Sequence, residues 1–148
     1  MINYFVQSGV LLALGLSAWG MSGPCVEIGR SLREDCLKRV KGRNYLVLVT
    51  PGQLEPGFQF DYQAVRYTGV VKNGRLVFLS TVDPAFRTPE GISPGMTLGQ
   101  LHRTPAQGRL IRGWARVYRL PSGWSCAFAF DAQLGVESPF QFLYKQAK

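Results

Sequence analysis

Lys72-Asn73-Gly74-Arg75 constrains this chain more than any other stretch. Asparagine followed by glycine supplies both left-handed positions of a type I′ turn, and the runs on either side, Val65–Val71 and Leu76–Val82, are apolar and rich in β-branched residues. The pattern predicts a β-hairpin. A lone hairpin is barely stable in water, so other strands must cover it.

The remaining sequence is cut into pieces of similar length. With 17 glycines and 9 prolines in 148 residues there is more room for short strands than for long helices. Tyr45–Thr50 reads as an apolar strand that stops at Pro51-Gly52. A loop from Pro51 to Gly57 then leads into Phe58–Ala64, where Phe58, Phe60, Tyr62 and Ala64 alternate with Gln59, Asp61 and Gln63. A second hairpin joins Trp114–Leu120 to Trp124–Phe130 through Pro121-Ser122-Gly123. Its alternation puts Trp114, Arg116, Tyr118 and Leu120 on one face and Ala115, Val117 and Arg119 on the other.

Two segments read as helix. Ile28, Leu32, Cys36 and Val40 recur every fourth residue, which predicts a helix over roughly residues 27–40. Thr97-Leu98-Gly99-Gln100 matches a capping box and opens a short helix through about Arg103. At the end of the chain Ser138-Pro139 suits a helix start, whereas Phe140-Gln-Phe-Leu-Tyr144 suits a strand. Aromatic content and period two favour the strand, and the helix stays open as the alternative. The expected fold class is α+β, an antiparallel sheet of five or six strands with an N-terminal helix on one face and one short internal helix. Hydrophobic residues at 46% and aromatics at 12% suit a packed domain, here residues 23–148 as one unit.

The first charged residue is Glu27. Phe5–Ser22 is almost wholly apolar, intermediate in length between the ~15-residue core of a signal peptide and the ~20 residues that span a bilayer. Small residues at Ala18 and Gly20 bracket Trp19, so residues 1–22 read as an export signal cleaved after Gly20 or Ser22. The alternatives are an uncleaved or lipid anchor and a cytosolic domain whose true start is near Met21, because Met1–Tyr4 carries no positive charge while Arg30, Arg33 and Lys38 follow the apolar stretch. Export to the periplasm or cell surface is the expected location.

Three cysteines suit an oxidising compartment. Cys36 falls on the apolar face of the expected helix and Cys126 on the face shared by Trp124, Phe128 and Phe130. A Cys36–Cys126 bond would close a long loop and contribute about 4 kcal/mol on the chain-entropy model. Cys25–Cys36 is the competing pair, and three small buried thiols are the third possibility. No C-x-x-C occurs and His102 is the single histidine, so no metal site is expected.

Phe86-Arg-Thr-Pro-Glu-Gly-Ile-Ser-Pro-Gly-Met-Thr-Leu-Gly-Gln-Leu101 resembles an element of small exported bacterial domains, F-x-T-x-E-G-I-x-x-G-x-T-L followed by a short helix. Its glycine–methionine–threonine step is distantly similar to the first helix start of the small lipoproteins that assist outer-membrane protein assembly. The chain departs from those lipoproteins in offering His102-Arg-Thr-Pro-Ala-Gln-Gly108 where they close with Leu-Gly-x-Pro, and Ser22-Gly23-Pro24 before Cys25 is a poor lipobox. The resemblance covers about residues 65–130 and implies a fold and a compartment. It implies no reaction.

Catalytic chemistry has little to work with. His102 must serve any nucleophile–base pair, and it sits beside Arg103 at the end of a short helix. Asp61, Asp83, Glu90 and Asp131 fall at strand ends and turns, with no glycosidase or calcium-loop spacing. No catalytic residue, cofactor or small-molecule substrate is assigned.

The basic surplus points somewhere. Lys and Arg number 17 against 9 Asp and Glu, a net charge of +8. Arg103, Arg109, Arg112, Arg116 and Arg119 share one acid-free stretch with Trp114 and Tyr118. Guanidinium forks match phosphate and carboxylate groups. In an exported protein the available polyanions are envelope components rather than nucleic acid. The expected function is a non-catalytic envelope domain that binds anionic components through those five arginines. The alternative is a protein-interaction module, an assembly factor or inhibitor, that presents Trp114, Tyr118 and Trp124 to another envelope protein. An unrecognised enzyme is the third reading.

Overall fold

The structure, a computed structural model, describes residues 25–31, 45–129 and 133–147. The Asn-Gly turn forms as its sequence dictates. Strands β3 (Val65–Lys72) and β4 (Arg75–Thr81) pair antiparallel from Lys72 opposite Arg75, with Asn73 at φ 51° and Gly74 at φ 72°. The other strands are β1 (Tyr45–Thr50), β2 (Gln53–Tyr62), β5 (Gln107–Ile111), β6 (Ala115–Arg119), β7 (Ser125–Ala129) and β8 (Phe142–Gln146). All pairings are antiparallel, in the order β1-β2-β3-β4-β8-β7-β6-β5. The closing segment is therefore a strand, and it sits between β4 and β7 at the centre of the sheet.

The expected α+β arrangement is overturned. The described residues form one eight-stranded antiparallel sheet curled into a half-barrel, with a single four-residue helix among them. Three misreadings explain the difference. Residues 28–30 form a turn rather than the start of a helix. Gly29, at φ 84°, donates to Leu76 O at 2.8 Å, Leu76 N donates to Arg30 O at 2.9 Å, and Ser31 bridges Arg75. The expected helix therefore does not include residues 28–31; residues 32–40 lie outside the described residues. The stretch Gln53–Gly57, expected as loop, extends β2 and carries β1 along it. Finally, Gln107–Ile111 forms an eighth strand that no alternation announced, being exposed along most of its length.

Between β2 and β3 the chain reverses at Gln63 (φ 50°) and Ala64 (φ 61°), a two-residue turn built without glycine, asparagine or proline. The capping box is present. Thr97 Oγ1 accepts from Gln100 N at 3.3 Å and the Gln100 side chain accepts from Thr97 N at 2.8 Å, starting the one helix among the described residues, α1 (Leu98–Leu101).

Both faces of the sheet are covered, and differently. One face carries Phe60, Tyr67, Leu76, Leu79, Cys126, Phe128 and Leu143, under a lid supplied by residues 86–106 with Ile92, Leu98 and Leu101 fully inside. The other face gathers Val49, Val70, Phe78, Ala115, Val117, Ala127 and Tyr144. Strand β7 is buried on both sides, which suits the small and apolar residues that follow Ser125 in it. Cys126 is a free buried thiol, so the expected Cys36–Cys126 bond is not formed. Burial, helped by the charge of Glu90, pushes that thiol up to about 12. Cys25 is disulfide-bonded, while Cys36 lies outside the described residues.

Candidate functional site

The face that gathers Val70, Phe78 and Tyr144 also bears a polar row. Directly paired residues share a face, and the ladder links Gln59, Thr68, Ser80, Tyr144, Ser125, Arg119 and Gln107 in turn from β2 to β5. Seven polar residues in register cross this face, with aliphatic and aromatic side chains between its two ends. Two cavities open onto this row, one at each end.

The cavity on the β5–β8 side has a volume of about 260 Å³. Its charged residues are Arg109 and Arg119. Arg109 pairs with Val117 and Arg119 with Gln107, so the two arginines are diagonal neighbours on adjacent strands and within mutual reach of a small ligand. Ser125 and Tyr144, both buried, form the floor, Gln107 and Gln146 supply amides, and Gly123 and Ala147 lie at the wall. Burial pushes the Tyr144 hydroxyl above its ordinary range, while its hydrogen bond with Ser125 and the charges of Arg119 and Arg109 pull the other way. Both guanidinium groups thus act on the same hydroxyl. Among the described residues no carboxylate lines this cleft and neither arginine is salt-bridged.

The cavity on the β2–β4 side is larger, about 550 Å³, and its one arginine is already paired with two acids that line it. Arg66 Nε donates to Asp61 Oδ1 at 2.9 Å, and Arg66 N donates to Asp83 Oδ2 at 2.9 Å. Asp83 also accepts from Ala85 N at 2.9 Å, and these backbone bonds hold its carboxyl below the usual range. Thr81 closes the network, its hydroxyl donating to Arg66 O at 2.7 Å and accepting from Asp83 N at 3.0 Å. The left-handed Ala64 lies at the rim.

The five arginines of the acid-free stretch divide. Arg109 and Arg119 come together. Arg116 pairs with Leu110 and Phe128 and so takes the opposite face, Arg112 lies in the turn between β5 and β6, and Arg103 follows α1. The division of Arg116 from Arg119 was readable from period two. The approach of Arg109 was not, because β5 gave no strand signal: Gly108, which interrupts it, leaves room for the Tyr118 ring opposite. Sequence reasoning also missed Ser125, Tyr144, Gln107 and Gln146, whose meeting depends on β8 inserting beside β7.

Of the three aromatics expected to serve an interaction, one is buried and two are half-buried. Trp124 is 9% exposed and packs on Phe86 at 4.6 Å between ring centroids, inside the core. Trp114 is half-buried against Tyr144 at 5.0 Å, and Tyr118 is half-buried between Phe128 and His102. What the surface exposes instead is aliphatic: Leu46, Leu48 and Leu54 on the β1–β2 edge, with Leu48 directly opposite Leu54. His102 caps α1 and Ser122 donates through its N–H and hydroxyl to Glu90 at 2.6 and 2.9 Å. Asp131 lies outside the described residues.

No family model matches the chain, and no curated protein matches it. One similar solved structure is that of the uncharacterized protein yfeY from Escherichia coli, 11% identical, with a TM-score of 0.39 over 79% of this chain and 90% of that one.

Proposed function

We propose that this chain is an exported, non-catalytic envelope domain that binds anionic envelope components through the cleft of Arg109 and Arg119. One observation carries the reading: two arginines share a face across β5 and β6 in a cleft without a carboxylate. Buried hydroxyls at Ser125 and Tyr144 add acceptor-and-donor capacity at the floor. The apolar leader of residues 5–22 and the net charge of +8 agree with an envelope address and an anionic partner. Arg103, Arg112 and Arg116 contribute long-range attraction rather than contacts in the cleft.

The test is binding of the purified domain to phosphatidylcholine vesicles carrying an anionic phospholipid, across a salt series. Affinity that collapses between low and moderate ionic strength, and that weakens further in Arg109→Ala and Arg119→Ala, supports the reading. Affinity indifferent to both arginines sinks it.

A protein-interaction module remains the second reading, and the exposed Leu46, Leu48 and Leu54 favour it over the aromatics first expected to serve that role. An interface on that edge would hold its affinity as salt rises.

A further inference from the structure

We infer that the cleft between Arg109 and Arg119 is an end-group site that selects a phosphomonoester over the phosphodiester interior of a polymer. The inference rests on the anion-binding reading above and narrows it to one ligand class.

Size argues first. A volume of about 260 Å³ lies just below the range of ~300–1,000 Å³ usual for drug-sized ligands. It accommodates a phosphate and the residue that bears it, entering end-on. A continuous polyanion would instead track a groove along which charges repeat, and the remaining arginines of the stretch are distributed over another face, a turn and a helix end. The cleft concentrates its two guanidinium groups at one point.

Charge and valence argue next. A monoester phosphate carries about −1.5 to −2 charge at pH 7 and presents three free oxygens. A diester carries a single negative charge and presents two. Two guanidinium forks together with the hydroxyl left free by the Ser125–Tyr144 bond offer more donors than two oxygens can use, and no carboxylate of the described residues stands in the lining. A dianion matches both counts. Beyond the charged point the cleft supplies the amides of Gln107 and Gln146, which pair with hydroxyls, and the floor offers the ring of Tyr144. Those groups suit a sugar or glycerol carrier better than an alkyl one.

The phosphate source is either soluble or glycan-borne, or a lipid head group, and the same chemical comparison addresses both. In solution, methyl phosphate and dimethyl phosphate are titrated into the domain and followed by NMR. On membranes, phosphatidylcholine vesicles carry phosphatidic acid or an equal charge of phosphatidylglycerol. The monoester is expected to bind at least about tenfold more tightly than the diester, a difference of about 1.4 kcal/mol. The preference should shrink as pH falls from neutral to about 5, through the second phosphate ionisation near 6. Arg109→Ala and Arg119→Ala should each abolish it, Arg119→Lys should restore affinity only in part because it lacks the fork, and Arg116→Ala should leave it intact. Preference seen with methyl phosphate identifies a soluble or glycan phosphate; preference confined to vesicles identifies a lipid head group. Equal binding of monoester and diester, still dependent on both arginines, overturns the monoester inference and leaves the anion reading standing. Binding that ignores both arginines overturns the two together.

Discussion

The two cavities at the ends of the polar row present similar side chains and opposite electrostatics. The β2–β4 cavity is about twice the volume of the β5–β8 cleft and contains an arginine as well. Yet Arg66 is committed on both sides, its guanidinium to Asp61 and its backbone N–H to Asp83, and Asp83 is in turn fixed by Ala85 and Thr81. Those charges hold a hairpin end together. Arg109 and Arg119 have no such partners among the described residues, and the lining around them contains no acid. Cavity size therefore ranks the two sites wrongly. The useful criterion is whether the fold has already neutralised its own charges, since a guanidinium bound to a carboxylate has little left to offer an incoming anion.

The largest expected effect follows directly. Replacing both Arg109 and Arg119 by Ala should lower phosphate affinity by roughly 100-fold or more, given about 1.5–3 kcal/mol for each charged hydrogen bond and about 1.4 kcal/mol per tenfold. Thermal stability should barely move, because exposed side chains without internal partners are being removed. Calorimetric titration beside a melting curve checks both halves. A double variant that unfolds readily would show the arginines to be structural after all, as Arg66 is.

The converse experiment unpairs the other cavity. Asp61→Asn keeps the shape but removes the carboxylate that holds the Arg66 guanidinium. If internal pairing is what silences that cavity, the variant should acquire a second phosphate site, about tenfold weaker than the first because only one guanidinium is released. Binding stoichiometry reads this out. Unchanged stoichiometry would mean that geometry, not charge matching, distinguishes the two ends.

How much of this was legible in the sequence depends on the range of the signals involved. Asn73-Gly74 and the Thr97–Gln100 capping box are local devices, each complete within four residues, and both formed as read. The hairpin through Gly123 and the closing strand also followed from local pattern. Gln63-Ala64 did not, because the turn uses residues that avoid left-handed backbone and is imposed by the pairing of β2 with β3. Nor did β5, whose exposed residues have no inside and outside to alternate. The cleft fell between these cases. Its arginines stood out by composition, but choosing Arg109 and Arg119 from the five required the register of β5 on β6, and the Tyr144 floor required knowing that the last strand returns to the centre of the sheet. Long-range pairing leaves no mark within a short window.

The Gln63-Ala64 turn sharpens the comparison through stability rather than binding. Ala64 at φ 61° carries a left-handed cost of about 1–2 kcal/mol, which glycine removes while giving up part of the gain to its freer unfolded chain. Ala64→Gly should therefore stabilise the domain by roughly 0.5 to 1 kcal/mol net, raising Tm by about 1–4 °C. Phosphate affinity at Arg109 and Arg119, at the other end of the row, should not change. A stabilised variant with altered affinity would show that the two ends are coupled through the ladder.

The smallest effect is expected from Glu90, the acid that lies behind the cleft's wall. It accepts from the N–H and the hydroxyl of Ser122, in the turn whose Gly123 lines the cleft. Burial, the largest single influence, pushes its carboxyl up; the two bonds from Ser122, with those from its own backbone N–H and from Thr88, together hold it below its ordinary value of 4.5. A carboxylate with a depressed folded value adds stability that is fully present above its unfolded value and is lost as pH falls through the folded one. The loss attributable to Glu90 should therefore appear only below about pH 4.5, well clear of the phosphate ionisation near 6. Glu90→Gln should flatten that part of the stability curve, as measured by urea unfolding from pH 7 downward, while leaving the monoester preference between pH 5 and 7 as it was. If the preference moved as well, the turn would be setting the width of the cleft, and selection would depend on the wall as much as on the two arginines.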